Sequence, residues 1–155
     1  MQFINYFFAS ITSFSGLLIG LLLMKIAPEE QKPLEKYLVL FRKILLLTIF
    51  AFVSFYYFND YTSLLALIGY FIFLLFIEFR MDDLRKKSII IYTALGVLFF
   101  LSSKNTNLFT IESSLILLYG VPTASLMYNK KEKSYNKIIL YNLGFILIAN
   151  LLFFI

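Results

Sequence analysis

Six apolar stretches, each roughly one bilayer long, make up most of this chain, with short polar segments between them. The first runs from about Phe3 to Ile26 and closes at Ala27, Pro28, Glu29 and Glu30, where proline cannot continue a helix comfortably. Pro33 then suits a first helical position. Leu34, Tyr37, Leu38, Phe41 and Leu45 recur at helical spacing and oppose Glu35, Lys36, Arg42 and Lys43. This predicts an interfacial amphipathic stretch running straight into a second span, Ile44 to Phe58. Fifteen residues rise only about 22 Å, short of a hydrocarbon core of about 30 Å, so the amphipathic stretch must contribute, with Arg42 and Lys43 reaching back to the headgroups.

Asn59 and Asp60 read as a tight turn into the third span, Tyr61 to Phe79, which ends in the mixed-sign segment from Glu78 to Lys87. The fourth span runs from Ser88 to about Ser103, and Lys104 to Asn107 forms the next turn. The fifth, Leu108 to Tyr128, contains Glu112, Gly120 and Pro122, and the sixth, Ile138 to Ile155, carries Asn142 and Asn150. The expected fold is therefore an all-α polytopic bundle of six transmembrane helices in a single integral membrane domain, residues 1–155. Composition agrees, since 61% hydrophobic and 15% charged residues do not describe a soluble surface. The N-terminus lacks the basic start of a signal peptide, so its apolar run is read as a mature transmembrane helix.

Charge adds a direction of threading. Thirteen of the fourteen Lys and Arg residues sit around the first, third and fifth gaps between apolar runs, and only Lys104 lies elsewhere. Basic segments are retained on the cytoplasmic side during insertion, so both termini are expected outside. The basic segments centre near residues 33, 83 and 132, which reads as three similar hairpins, although helix length alone produces the same spacing. With one membrane face holding the cations behind the formal charge of +5, anionic headgroups are the expected partners of Arg42, Lys43, Arg85, Lys86 and Lys87, and nucleic acid is not. The chain has no cysteine and no histidine, which removes disulfides, thiolate chemistry and the commonest metal ligand and general base, and no cofactor or metal is expected.

The remaining polar and small residues carry the candidate chemistry. Ala9, Ser13, Gly16 and Gly20 share one face of the first helix, a small-residue stripe suited to close helix packing within the chain or between copies. Gly120, Pro122 and Thr123 interrupt the fifth span, where proline frees the Leu118 carbonyl and Thr123 or Ser125 is positioned to re-satisfy the backbone. Such a freed carbonyl serves as an ordinary kink, a hinge or a cation ligand. Glu112 is an intramembrane acid, which points to function, but with Thr110 as N-cap it would sit in a first helical turn, favoured by the helix dipole. Asn142 and Asn150 suit hydrogen bonds between helices or a polar path.

Three function classes follow. A small transporter or channel subunit for an ion or small solute, not an enzyme, draws on the broken fifth span and Glu112. An accessory or scaffold subunit of a homo-oligomer or larger membrane complex fits a chain poor in reactive groups. A lipid-modifying enzyme would use Glu78, Asp82 and Asp83 to hold magnesium on a lipid diphosphate beside Arg80, Arg85, Lys86 and Lys87. The threading is checked by labelling the variants Asn105→Cys and Lys131→Cys in intact cells. A membrane-impermeant maleimide is expected to reach position 105 only, and labelling of position 131 alone would overturn the orientation.

Overall fold

The computed structural model describes residues 2–130 and 134–155. Lys131 and Lys133 of the third basic segment lie outside the described residues. The chain is all-helical: α1 Phe3–Ile26, a short 3-10 turn Pro28–Glu30, α2 Gln31–Tyr56, α3 Tyr61–Arg80, α4 Leu84–Ser102, α5 Thr106–Lys130, α6 Tyr135–Asn142 and α7 Gly144–Phe153, the last two forming one interrupted rod. Among the described residues, five segments are long and apolar enough to cross a membrane: Phe3–Ile26, Lys32–Tyr56, Tyr61–Arg80, Thr106–Tyr128 and Tyr135–Phe153. The exception is α4, whose first turn holds Arg85, Lys86 and Lys87.

Short polar side chains start the helices. Asp60 caps α3 by accepting from the backbone N–H of Thr62 (3.3 Å) and from the hydroxyls of Thr62 (2.8 Å) and Ser63 (2.5 Å). Those bonds, Ser63's first, hold its carboxyl below the ordinary value. Asp83 caps α4 through the Arg85 N–H (3.1 Å), and Asn105 accepts from Asn107 and Leu108 N–H (both 3.0 Å) at the head of α5.

The helices pass alternately up and down. Arg42 pairs with Glu78 and the Phe50 ring stacks on Phe71, so α2 and α3 are antiparallel. Tyr70 reaches Ala94 and Lys87 reaches Glu78, which makes α3 and α4 antiparallel, and Phe3 packs on Phe153 while Tyr6 bonds Ala149, which does the same for α1 and α7. One end of the bundle thus gathers the C-terminal ends of α1, α3 and α5 with the starts of α2, α4 and α6, and carries the basic segments. Gly16 of α1 meets Leu117 and Gly120 of α5, and Gly20 meets Val121 and Ala124, which fixes α1 and α5 as parallel neighbours.

That last contact is the tightest in the bundle. A Cβ built on Gly16 would stand 1.8 Å from the Leu117 carbonyl oxygen, one on Gly20 2.3 Å from that of Val121, and one on Gly120 2.6 Å from the Gly16 carbonyl carbon. The two backbones touch, and dispersion between main chains replaces side-chain interdigitation. The small-residue stripe of α1 therefore packs within the chain: Ser13, Gly16 and Gly20 are buried and Ala9 half-buried.

Around this axis sit aromatic rings and tyrosines that bond to carbonyls of neighbouring helices. Tyr6, fully buried, lies between Phe99, Phe109 and Phe153 and donates to the Ala149 carbonyl (2.9 Å). Tyr57 donates to Leu101 (3.1 Å) and Tyr70 to Ala94 (3.0 Å). In contrast, α3 lies at the periphery, with Leu65, Ile68, Ile72, Phe73 and Phe76 exposed and nothing within 4 Å of a Cβ built on Gly69.

Two expectations about continuity are reversed. The fifth span is unbroken: α5 is helical through Gly120, Pro122 and Thr123, with Thr123 Oγ1 donating to the Tyr119 carbonyl (2.8 Å) and Ser125 Oγ to that of Val121 (2.8 Å). The glycine serves close approach, and the proline lies within the helix without ending it. The break falls in the sixth span, at Leu143, where a Cβ on Gly144 would stand 2.7 Å from Thr93 Oγ1. The amphipathic stretch and second span do form one helix, α2, as expected, ending at Tyr56.

The glycine contacts are tested by thermal unfolding of the purified protein in detergent. Gly16→Leu and Gly120→Leu are each expected to destabilise by about 1–3 kcal/mol or more, as overpacking against fixed backbone does, while Gly69→Leu leaves the melting temperature unchanged or raised. Equal effects at the three sites would refute a backbone-to-backbone α1–α5 contact.

Candidate functional site

Helical periodicity puts charge inside this bundle. On α2, Arg42 shares a face with Leu45, Leu46, Ile49, Phe50 and Val53, at spacings of three, four, seven, eight and eleven, and all of them are buried. Of the apolar stripe predicted for an interfacial stretch, Leu34, Tyr37 and Phe41 are exposed, while Leu45 is buried on the face of Arg42. Arg42 therefore does not reach back to headgroups as expected. It is 2% exposed and its Nη2 donates to Glu78 Oε1 of α3 at 2.5 Å, with Glu78 equally buried.

Lys87 completes the cluster from α4. It too is buried rather than lipid-facing, its Nζ donating to the Glu78 carbonyl oxygen (2.6 Å) and standing 4.0 Å from Glu78 Oε1. The other cations expected at the membrane face behave differently. Lys43 is half-buried with its ammonium 4.5 Å above the Phe79 ring, Arg85 is half-buried over Tyr141 (5.4 Å), and Lys86 is exposed. Glu78 thus answers two buried cations, one through its side chain and the other chiefly through its backbone.

Below the ion pair, towards the centre of the bundle, lie two fully buried tyrosines. The rings of Tyr92 (α4) and Tyr119 (α5) are 5.9 Å apart, and both stand within electrostatic reach of Arg42. The Tyr92 hydroxyl, Arg42 Nε and Glu78 Oε2 are buried without a hydrogen-bond partner among the described residues. Four helices converge here, each contributing one or two polar side chains. Above the pair, a pocket of about 270 Å³ opens at the basic end of the bundle and is lined by Arg42, Lys43, Glu78, Asp82 and Lys87 with apolar neighbours.

Glu112 lies on α5 seven residues before Tyr119, two helical turns and about 10 Å away on the same face. Its expected place in a first turn capped by Thr110 is not what the structure shows. The helix begins at Thr106 with Asn105 as the capping side chain, so Glu112 is one turn deeper and completely buried. Neither carboxyl oxygen has a hydrogen-bond partner among the described residues. Such a group is costly to leave in a bundle interior unless it exchanges a proton or receives a ligand.

The two asparagines join helices. Asn142 accepts from Ser88 Oγ (2.6 Å) and donates to the Ile138 carbonyl (2.7 Å), bracing the break at Leu143, and Asn150 donates to Ser10 Oγ (3.1 Å) of α1. The acidic set proposed for magnesium does not assemble. Glu78 is engaged by Arg42, Asp83 caps α4, and no group of three acidic side chains fit for a metal ion occurs among the described residues. No protein-family model, curated protein or solved structure matches the chain.

The buried pair gives a sharp stability prediction. Glu78→Leu strands Arg42 and weakens the hold on Lys87, and is expected to cost about 3–5 kcal/mol, whereas Arg42→Met leaves Glu78 with Lys87 nearby and costs less. The double variant Arg42→Met/Glu78→Leu is expected to recover part of the loss, since Arg42 is no longer stranded and Lys87 keeps its bond to the carbonyl of residue 78. Additive losses in thermal unfolding would show that the two side chains are not coupled.

Proposed function

We propose that the chain is a six-span integral membrane protein with both termini on the extracytoplasmic side, and that it is a small transporter or channel subunit for an ion or small solute. In this reading α4 crosses as well: its first-turn cations belong to the cytoplasmic interface, and residues 88–102 cross with its neighbours. The orientation rests on the basic segments that gather at one end of the bundle.

The observation that carries the transport reading is Glu112, wholly buried with both oxygens unpartnered among the described residues, on the same seam as a second polar centre. From the cytoplasmic end, a solute or proton meets the pocket, the Arg42–Glu78 pair and the hydroxyls of Tyr92 and Tyr119. Two turns further out it meets Glu112, which lies six residues from the outer end of α5. An ionised carboxylate at that point has no cation beside it among the described residues, so its loading and release belong to a conformation in which the seam opens. The tight α1–α5 contact acts as the fixed half of such a device. Peripheral α3, tied to the bundle by Glu78 and Tyr70, is the half free to move.

An accessory-subunit reading draws on a separate observation. Thr62, Ala66 and Gly69 form an exposed small-residue line on α3, with open space at Gly69 where a neighbouring helix would fit.

The transport reading is tested by reconstituting the purified chain into vesicles loaded with a pH-sensitive dye, under an imposed potential and pH gradient. Proton flux above that of empty vesicles is expected, falling at least about tenfold in Glu112→Gln, which removes the titratable group with little change of shape. Flux equal to empty vesicles for protons, alkali cations and small anions alike would sink the reading.

A further inference from the structure

The pocket at the basic end has an unequal charge balance. Its walls hold buried Arg42 and Lys87 against the single carboxylate of Glu78, an excess of one positive charge on side chains withdrawn from solvent. Half-buried Lys43 adds a third cation at the rim, and exposed Asp82 a second carboxylate, so the lining as a whole stays positive by one. The contacts show where the excess is felt. Glu78 gives its close side-chain contact to Arg42, while Lys87 Nζ is 2.6 Å from a carbonyl oxygen and 4.0 Å from the carboxylate. The Lys87 ammonium therefore has donors left for another acceptor, and Arg42 keeps a buried Nε without a partner.

We infer that this pocket binds a phosphate group, held by Lys43 and Lys87 with Arg42 beneath them. Phosphate fits the observations better than a carboxylate. It carries up to two negative charges, presents several acceptor oxygens to ammonium and guanidinium groups arriving from α2 and α4, and balances the excess without requiring Glu78 to release Arg42. A space of about 270 Å³ takes a phosphate together with several waters, each filling about 30 Å³. The rest of the lining, including Val39, Phe79, Met81 and Leu84, is apolar, and Lys43 lies across the Phe79 ring at the mouth. The site accepts the phosphate either of a lipid headgroup, with its chains along the apolar side, or of a small water-soluble phosphate. Asp82, on the rim, opposes the ligand and sets how tightly it is held.

The inference does not depend on transport, and its test involves no gradient. Full-length protein in neutral detergent is titrated with inorganic phosphate and, separately, with short-chain phosphatidic acid, binding being read by thermal shift and native mass spectrometry. Short-chain diacylglycerol, which has no phosphate, is the control. At least one phosphate compound is expected to bind and raise the melting temperature. Lys43→Gln is expected to weaken that binding about tenfold, and Asp82→Asn to tighten it severalfold. Both side chains lie at the rim and neither takes part in the Arg42–Glu78 bond, so both variants keep the fold. Binding of phosphatidic acid alone identifies a headgroup as the source, and binding of inorganic phosphate identifies a soluble one. No binding of either, affinity unchanged by both rim substitutions, or equal binding of diacylglycerol would overturn the assignment. A wild type that binds phosphate but carries no flux would keep this site and remove the transport reading.

Discussion

Contact between two backbones, α1 against α5 at Gly16 and Gly120, is the constraint on which the other packing rests. With no side chain between them, the two parallel helices form one double-width element, and their separation is set by main-chain atoms that cannot adopt another rotamer. Every other helix packs on that element or on something touching it. Tyr119 and Thr123, on α5 itself, are held at the seam by this register, and Glu112 is aligned with them by helical pitch alone.

A second constraint acts at the basic end. Removing Arg42, Glu78 and Lys87 from solvent is unfavourable for each of them singly, and the geometry offsets this only when three helices converge. Few apolar contacts hold the outward face of α3, so the charged contact at Glu78 has a large share in fixing its position. The same residues thus orient a peripheral helix and line the mouth of a pocket. A ligand that draws on Lys87 or Arg42 there also acts on the tether of α3.

Much of the fold is legible in the sequence, for a physical reason: apolar run length and turn chemistry are local properties. Asp60 marks the turn before the third helix, and the small residues Gly16 and Gly20 announce a close contact without naming its partner, whereas the caps Asp83 and Asn105 lie several residues ahead of the starts at Ser88 and Leu108 that run length suggests. What was misread depends on tertiary pairing. Arg42 looked like one cation among several on a polar face because Leu34, Tyr37 and Phe41 made a convincing stripe. The spacing from Arg42 to Leu46, Ile49 and Val53 was equally present, and only the acid at Glu78 on another helix decides between the two faces. Pro122 suggested a break, yet α5 runs on through it, while the actual break at Leu143 has no proline to announce it. Tyr92 and Tyr119 are absent from the sequence-derived candidates because nothing local distinguishes a buried tyrosine from one at a membrane surface.

The tyrosine contacts have a consequence for how such a chain tolerates sequence drift. Tyr6, Tyr57 and Tyr70 each donate to a main-chain carbonyl, at Ala149, Leu101 and Ala94 respectively. Every residue type carries that acceptor, and a helical carbonyl has a second lone pair to offer. The residue at the receiving position is thus constrained by its volume and not by its chemistry. Three of the struts between helices depend on one specified side chain each rather than on a matched pair, so the receiving helices can change composition one residue at a time without passing through an intermediate that has lost the bond.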